Sequence, residues 1–387
     1  MGRLRYLTAG ESHGQALAGI LEGMPAGLVL NRDELNRQLT RRQGGHGRGY
    51  RQQIEKDQAE VLSGIRHGVT MGSPIALVLW NRDWRNWRER MAVWEPPDTE
   101  KPVTVPRPGH ADLAGAVKYQ QTDIRNVLER ASARETATRV AIAAIARQLL
   151  EHFDITIGSH VVRVLDGVSE VAGTEYDDMR ALSNDADASP VRSLDKSAEE
   201  TMIARIDQAQ KERNTVGGVF EVIARGVPPG LGSHVHWDRK LDARIAGAMM
   251  SIQAQKGVEI GTGFGVAERW GSEVHDEIYY DEQQGYYRQT GGSGGIEGGM
   301  STGEPIVVRV AMKPLSTLMR PLDSVDIRTK EPTAAHIERS DVTAVPAASV
   351  VGEHVLALTL ADAFLEKMGG DSIIEIEERY ETYRRTI

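Results

Sequence analysis

Residues 304–313 read EPIVVRVAMK, and Ile306, Val308, Val310 and Met312 fall on one side at the two-residue period of a half-buried strand. Segments 72–81, 154–165 and 216–227 also read as strands. Four helices stand between and around them. The first starts near Asn31, where Glu34 three residues on makes a capping box. The second starts at Ser132, with Glu135 in the same relation, and runs through an alanine-rich stretch to about His152. The third follows Asp238; Leu241, Ile245, Met249 and Ile252 form one stripe, and Gly257 is placed to end it. The fourth covers about 347–368, ahead of Gly369 and Gly370. Strands and helices thus mix without a clean alternation.

An internal echo runs through this pattern. Residues 23–28 (GMPAGL) resemble residues 226–231 (GVPPGL), and an acid-capped amphipathic helix follows each, which reads as a duplicated β–turn–α unit or as a chance match. Segment 166–215 is acidic and polar and reads as a peripheral excursion, and no obvious flexible linker splits the chain.

The chain has 387 residues, 40% hydrophobic and 26% charged, enough to bury a sizeable core. Its 46 basic and 55 acidic residues leave a net charge of -9, which argues against a general nucleic-acid surface; an anion site must be a local basic patch. There are no cysteines, so disulfides, thiolate metal sites and cysteine nucleophiles are excluded, and redox chemistry would need a bound cofactor. Residues 1–8 lack a secretion signal, and no stretch of about 18 uninterrupted apolar residues suggests a membrane span. A cytoplasmic protein is expected.

Segment 41–51, RRQGGHGRGYR, holds Arg41, Arg42, Arg48 and Arg51 with no acid. Guanidiniums so crowded repel one another unless they are solvated or face an anion, and the glycines between them let backbone approach a ligand. At 107–112, RPGHAD sets Arg107 and His110 on one tight bend, where a histidine can exchange protons. At 129–136, ERASARET places Arg130 and Arg134 around a helix start capped by Ser132, a ready anion site. GESHG at 10–14 puts Ser12 and His13 at a glycine-flanked bend. The glycine cluster 291–299 and KPLST at 313–317 do not fit P-loop spacing, and no Rossmann fingerprint or zinc-ligand spacing is present. Arg339-Ser340-Asp341 pairs a cation with a carboxylate before the fourth helix.

Together these motifs, with SIQAQKGVE at 251–259 and GGIEGGMSTGEP at 294–305, resemble the chorismate synthase family along essentially the whole chain. The resemblance implies a mixed α/β fold of α+β type: one domain over 1–387, with helices sandwiched between antiparallel sheets, assembling as a homotetramer. It implies a carbon–oxygen lyase that eliminates phosphate from 5-enolpyruvylshikimate-3-phosphate with reduced FMN. His13 then acts towards the leaving phosphate and His110 towards the flavin. Asp341 assists proton removal, and Ser12 and Ser132 line the pocket. Arg42, Arg48, Arg51, Arg107 and Arg134 match the substrate-binding guanidiniums. Arg130, Ala131, Ser132, Gln253, Ala254, Gly298, Lys313, Pro314, Leu315, Ser316, Thr317 and Arg339 match flavin-contacting positions. Arg42 and Arg48 are also associated with NADP, NADPH serving as an indirect reductant through an external flavin reductase. Val342 stands where many relatives have proline, and Gln253 where asparagine is frequent. Rival readings are an NADPH-dependent flavin reductase and a non-catalytic anion- or RNA-binding protein; low aromatic content, 5%, weakens the latter.

Overall fold

The computed structural model describes residues 2–49, 54–94, 101–283, 285–338 and 340–386. Its main helices are α1 (Arg32–Gln43), α2 (Asp112–Tyr119), α3 (Arg125–Ala131), α4 (Thr136–His152), α5 (Met179–Ala188), α6 (Lys196–Lys211), α7 (Leu241–Met250), α8 (Val345–Met368) and α9 (Ile373–Arg384). One antiparallel sheet takes β1 (Arg5–Ala9), β2 (Ala16–Glu22), β3 (Glu60–Val61) and β4 (Ile75–Trp80) in the order β1-β2-β4-β3. The other takes β5 (Thr156–Val164), β6 (Gly167–Val168), β7 (Gly218–Arg225), β8 (Gln255–Ile260) and β9 (Ile306–Met312) in the order β8-β9-β7-β5-β6. The expected mixed class is the observed one, with the helical layer of α1, α4, α7 and α8 between the sheets.

Alternation builds both walls. Ile75, Leu77 and Leu79 of β4 and Ile306, Val308, Val310 and Met312 of β9 all face the core. Helices α4 and α8 are buried along most of their length because sheet and helix cover them, and two charges they carry inside, Arg147 and Glu353, pair with each other. Close approach is specified by single glycines: a Cβ on Gly19 of β2 would lie 2.7 Å from Ile142 of α4, and one on Gly352 of α8 would lie 2.7 Å from Phe220 of β7. Helix α8 is long and apolar enough to cross a membrane by length and composition, yet 89% of its apolar window is buried inside the protein. It is a core helix.

The echo in the sequence is a structural repeat. Pro25 O accepts from Thr70 Oγ1, whose oxygen accepts from Leu28 N; Pro228 O accepts from Ser301 Oγ, whose oxygen accepts from Leu231 N. Gly27 N donates to Thr70 O as Gly230 N does to Ser301 O. Gly23 and Gly226 both sit at positive φ, with no room for a Cβ beside the carbonyls of Arg3 and Asp154. Each turn follows the second strand of an antiparallel pair and leads towards a core helix, α1 or α7.

Some local expectations need correction. Asn31 caps α1, but Glu34 turns to Arg37 and Gln38 and does not return to the cap. Ser132 caps a short 3-10 turn at Ala133–Glu135 that leads into α4, and a separate helix, α3, precedes it. Helix α7 stops at Met250, and Gly257 lies inside β8. Segment 166–215 carries α5 and α6; Val191, Ala198, Met202 and Ile206 join the main core.

Candidate active site

The turn between β1 and β2 presents Ser12 and His13. Glu129, at the end of α3, grips this turn: its carboxylate accepts from His13 N at 2.8 Å and meets His13 Nδ1 at 3.0 Å through each oxygen. Arg125 one turn back donates to the same carboxylate at 2.9 Å. Burial opposes ionisation of Glu129, but hydrogen bonds from His13 and the charges of His13 and Arg125 outweigh it and hold the carboxyl below its ordinary range. The His13 ring lies on the indole of Trp87, centroids 3.8 Å apart and planes 25° from parallel. Ser132 Oγ donates to Ser12 Oγ at 3.2 Å, which joins this turn to the start of α4.

A matching arrangement holds His110. Asp112, at the first position of α2, meets His110 Nδ1 at 2.5 Å and accepts from Arg107 through Nε at 2.8 Å and Nη2 at 3.1 Å. Burial works against its charge, yet the hydrogen bonds and charges of His110 and Arg107 keep it ionised. Arg107 Nη1 donates to Thr317 Oγ1 at 2.9 Å, and a Cβ on Gly109 would sit 3.8 Å from Lys313 Nζ, so the RPGHAD bend faces the KPLST segment. Glu338 lies between the two halves. Arg125 donates to it at 3.4 Å, and against its burial the His336 hydrogen bond with the charges of Arg125 and Arg107 holds it down to about 2.

The arginines form the third side. Arg42 is buried on α1, donating to Thr136 Oγ1 at 2.9 Å and Ala133 O at 2.9 Å. Burial, with Arg134 and Arg48 nearby, pushes Arg42 down to about 9 against the pull of Asp57 and Asp341. Arg134 donates to both oxygens of Asp57, at 2.6 and 2.8 Å, and to Asn81. Asp341 accepts from Gly49 N at 2.6 Å and pairs with Arg48 at 2.8 Å. The loop without local acids is therefore matched by acids from elsewhere in the chain. Arg41 belongs to the core instead, pairing with Glu353. Arg51 and Arg339 lie outside the described residues. Segment 166–215 supports the loop: His46 N donates to Pro190 O, His46 Nε2 meets Asp207 at 2.7 Å, and Gly47 abuts Ile206.

A family model described as chorismate synthase matches residues 4–365. The chain is 55% identical to the chorismate synthase of Aquifex aeolicus over 98% of this chain and 97% of that one. It is 57% identical to that of Geotalea uraniireducens, covering 98% of each. A solved structure described as "Crystal Structure of Chorismate Synthase" superposes with a TM-score of 0.77 at 45% identity, covering 98% of this chain and 97% of that one.

The chain belongs to the chorismate synthase family. It is accordingly a lyase. Against that family, most of the remaining motif positions converge within one chain. Arg130 reaches Thr8 and Gly10 across the His13 turn. Gln253 donates to Glu135 at 3.2 Å, and Lys313 N donates to Ala254 O at 3.0 Å, so 130–132, 253–254 and 313–317 line one rim. Gly298 is placed apart. Its hairpin bonds to the start of α7, through Leu241 N to Gly299 O, whereas Gln253 follows the end of that helix, about 15 Å away at 1.5 Å per residue. Among the described residues no cluster of histidine, aspartate and glutamate is placed to hold a metal. Sequence reasoning gave no role to Glu129, Asp112, Arg125, Asp57, Trp87 or Glu338. Glu129 and Asp112 stood inside quoted motifs, three residues before Ser132 and two after His110; the others had no signal beyond their residue type.

Proposed function

We propose that the protein catalyses the anti-1,4-elimination of phosphate from 5-enolpyruvylshikimate-3-phosphate, giving chorismate with reduced FMN at the site and no net redox change. One observation carries the reading: two histidines, each clamped through Nδ1 by a buried carboxylate, stand beside a wall of largely buried arginines. A substrate with one phosphate and two carboxylates needs such guanidiniums. Arg42, Arg48, Arg107 and Arg134 bind and orient these anions, Arg51 completing the set from its motif position. Their carboxylate partners keep them in place between turnovers. His13, its Nδ1 fixed on Glu129, carries its exchangeable proton at Nε2 towards the leaving phosphate. His110, fixed on Asp112, does the same on the flavin side, with Asp341 as the acceptor that assists proton removal. Ser12 and Ser132 line the pocket.

The residues present fit a flavin. Among the described residues, buried Gln253 Oε1 finds no hydrogen-bond partner, and Ala254 turns the backbone at φ +68° on the same rim. Arg130, Ala131, Ser132, Gln253, Ala254, Lys313, Pro314, Leu315, Ser316, Thr317 and Arg339 would hold it. Gly298 would join them only from another copy or after a rearrangement. When bound, reduced FMN supplies transient electron density to the ring that loses phosphate. Arg42 supports substrate binding better than nicotinamide binding, since its guanidinium is buried and faces Thr136, Ala133 and Asp57. NADPH therefore enters as an indirect reductant, through a separate flavin reductase. Assembly as a homotetramer has a candidate surface: Leu7, Ile20 and Trp80 stand exposed on the outer face of the β1-β2-β4 sheet.

The test is anaerobic phosphate release from 5-enolpyruvylshikimate-3-phosphate with FMN either chemically reduced or left oxidised. Chorismate and phosphate together, only with reduced FMN, are expected. Neither product from folded, flavin-loaded protein would overturn the reading, and steady NADPH consumption without substrate would favour a flavin reductase.

A further inference from the structure

Residues 81–91, NRDWRNWRERM, form a turn that the catalytic assignment leaves without a role. It is built with care. Glu55, buried, accepts from the backbone of Arg82 at 2.9 Å and of Asp83 at 3.4 Å. Asp83, also buried, accepts from Asn86 at 2.7 Å and from Trp87 Nε1 at 3.1 Å. The indole so held lies flat on the His13 ring at 3.8 Å. Arg125 and Arg90 lean on the same indole, 5.2 and 5.7 Å from its centre.

We propose that Trp87 is a positioning residue for His13, the second jaw of a clamp whose first jaw is Glu129. The proposal rests on the reading of His13 as the group that serves the leaving phosphate. Glu129 fixes one ring nitrogen, and that contact leaves the tilt of the ring to its other neighbours. The stacked indole removes this freedom, leaving one plane and one direction for Nε2. Small errors of this kind are expensive, because a displacement of about 1 Å can cost on the order of a hundredfold in rate. The clamp is also tied to substrate binding: Glu55, which holds the turn, stands 3.8 Å from Arg134 Nη2.

Three variants test this, with circular dichroism to confirm folding. Trp87→Leu removes the flat ring, and kcat for phosphate release falls about tenfold while KM moves less than about twofold. Trp87→Phe keeps a flat ring and retains kcat within about threefold. Wild-type kcat in Trp87→Leu, or equal losses in both variants, overturns the proposal.

A second readout needs no turnover. In flavin-free protein the emission of Trp87, taken as wild type minus Trp87→Phe, is quenched as the stacked imidazole protonates, and His13→Asn abolishes that dependence on pH. Glu129 faces the imidazole and Asp83, Arg125 and Arg90 face the indole, and all four remain in all three proteins. A Trp87 emission indifferent to His13→Asn overturns the stack. Absence of phosphate release from the wild type would instead strike the functional reading, and the emission experiment decides the stack on its own.

Discussion

Replacing Glu129 by glutamine removes a charge and little else. The carboxylate is 1% exposed and accepts from His13 N at 2.8 Å, from His13 Nδ1 at 3.0 Å and from Arg125 Nη1 at 2.9 Å. Glutamine offers one oxygen where two were used, and its amide N–H points a donor at donors. A hydrogen bond to a charged group is worth roughly 1.5–3 kcal/mol, and about 1.4 kcal/mol is tenfold in rate. If the Glu129–His13 bond is spent on holding the imidazole for the leaving phosphate, kcat in Glu129→Gln falls by about 10- to 150-fold. Stability falls as well, although Arg125 keeps Glu338 at 3.4 Å; a loss of about 1–3 kcal/mol in unfolding free energy is expected from urea titration. Glu129 is depressed below 4.5, so its contribution is complete above that pH and is lost as the pH falls through the folded value. Wild type and variant should therefore differ by a constant amount from neutral pH down to about 5 and converge in acid. Stopped-flow phosphate release with chemically reduced FMN gives kcat and KM separately. A kcat within twofold of wild type, or a loss confined to KM, refutes the assignment of Glu129 to His13.

Four further outcomes are expected. His13→Ala and His110→Ala each lower turnover at least about tenfold with the fold intact; near-normal turnover in either removes that residue from the chemistry. Glu353→Gln leaves Arg41, Arg147 and Arg192 facing a neutral amide in the core and lowers stability by about 3–5 kcal/mol near neutral pH. Burial opposes the Glu353 charge, but Arg41, Arg147 and Arg192 hold its pKa well below 4.5, so wild type and this variant also converge only in acid; a pH-independent difference would contradict this. Gly47→Ala places a methyl at φ +80°, 2.8 Å from Ile206 and 3.2 Å from Thr343, so the loop carrying Arg48 shifts and substrate KM rises more than the flavin Kd; equal losses would contradict the loop assignment. Thr70→Val and Ser301→Ala break the same pair of hydrogen bonds in the two halves of the repeat, and each costs about 1–3 kcal/mol by urea unfolding; a cost in one and none in the other would argue against equivalence.

The architecture was legible because its signals are local. Ile306 to Met312 alternate, α4 and α8 are long and mostly apolar, and Gly369 at φ +66° ends α8 where the sequence places it. The bends that carry His13 and His110 were legible for the same reason, since their glycines announce them. Their partners were not. Glu129 reaches His13 across 116 positions, and Asp57 reaches Arg134 across 77. No spacing rule connects such residues until the sandwich brings them together. Segment 41–51 shows the limit most clearly, because composition treats its arginines alike and the helix does not. Arg41 and Arg42 are neighbours on α1, about 100° apart around its axis. One faces α8 and spends its charge on Glu353, 312 positions away; the other faces the start of α4 and the site. Beyond the helix, glycines at positive φ turn Arg48 back to Asp341. The two adjacent arginines are thus divided by helical phase into a core brace and a part of the binding wall, and the phase, not the charge, decides which of Arg41 and Arg42 does which.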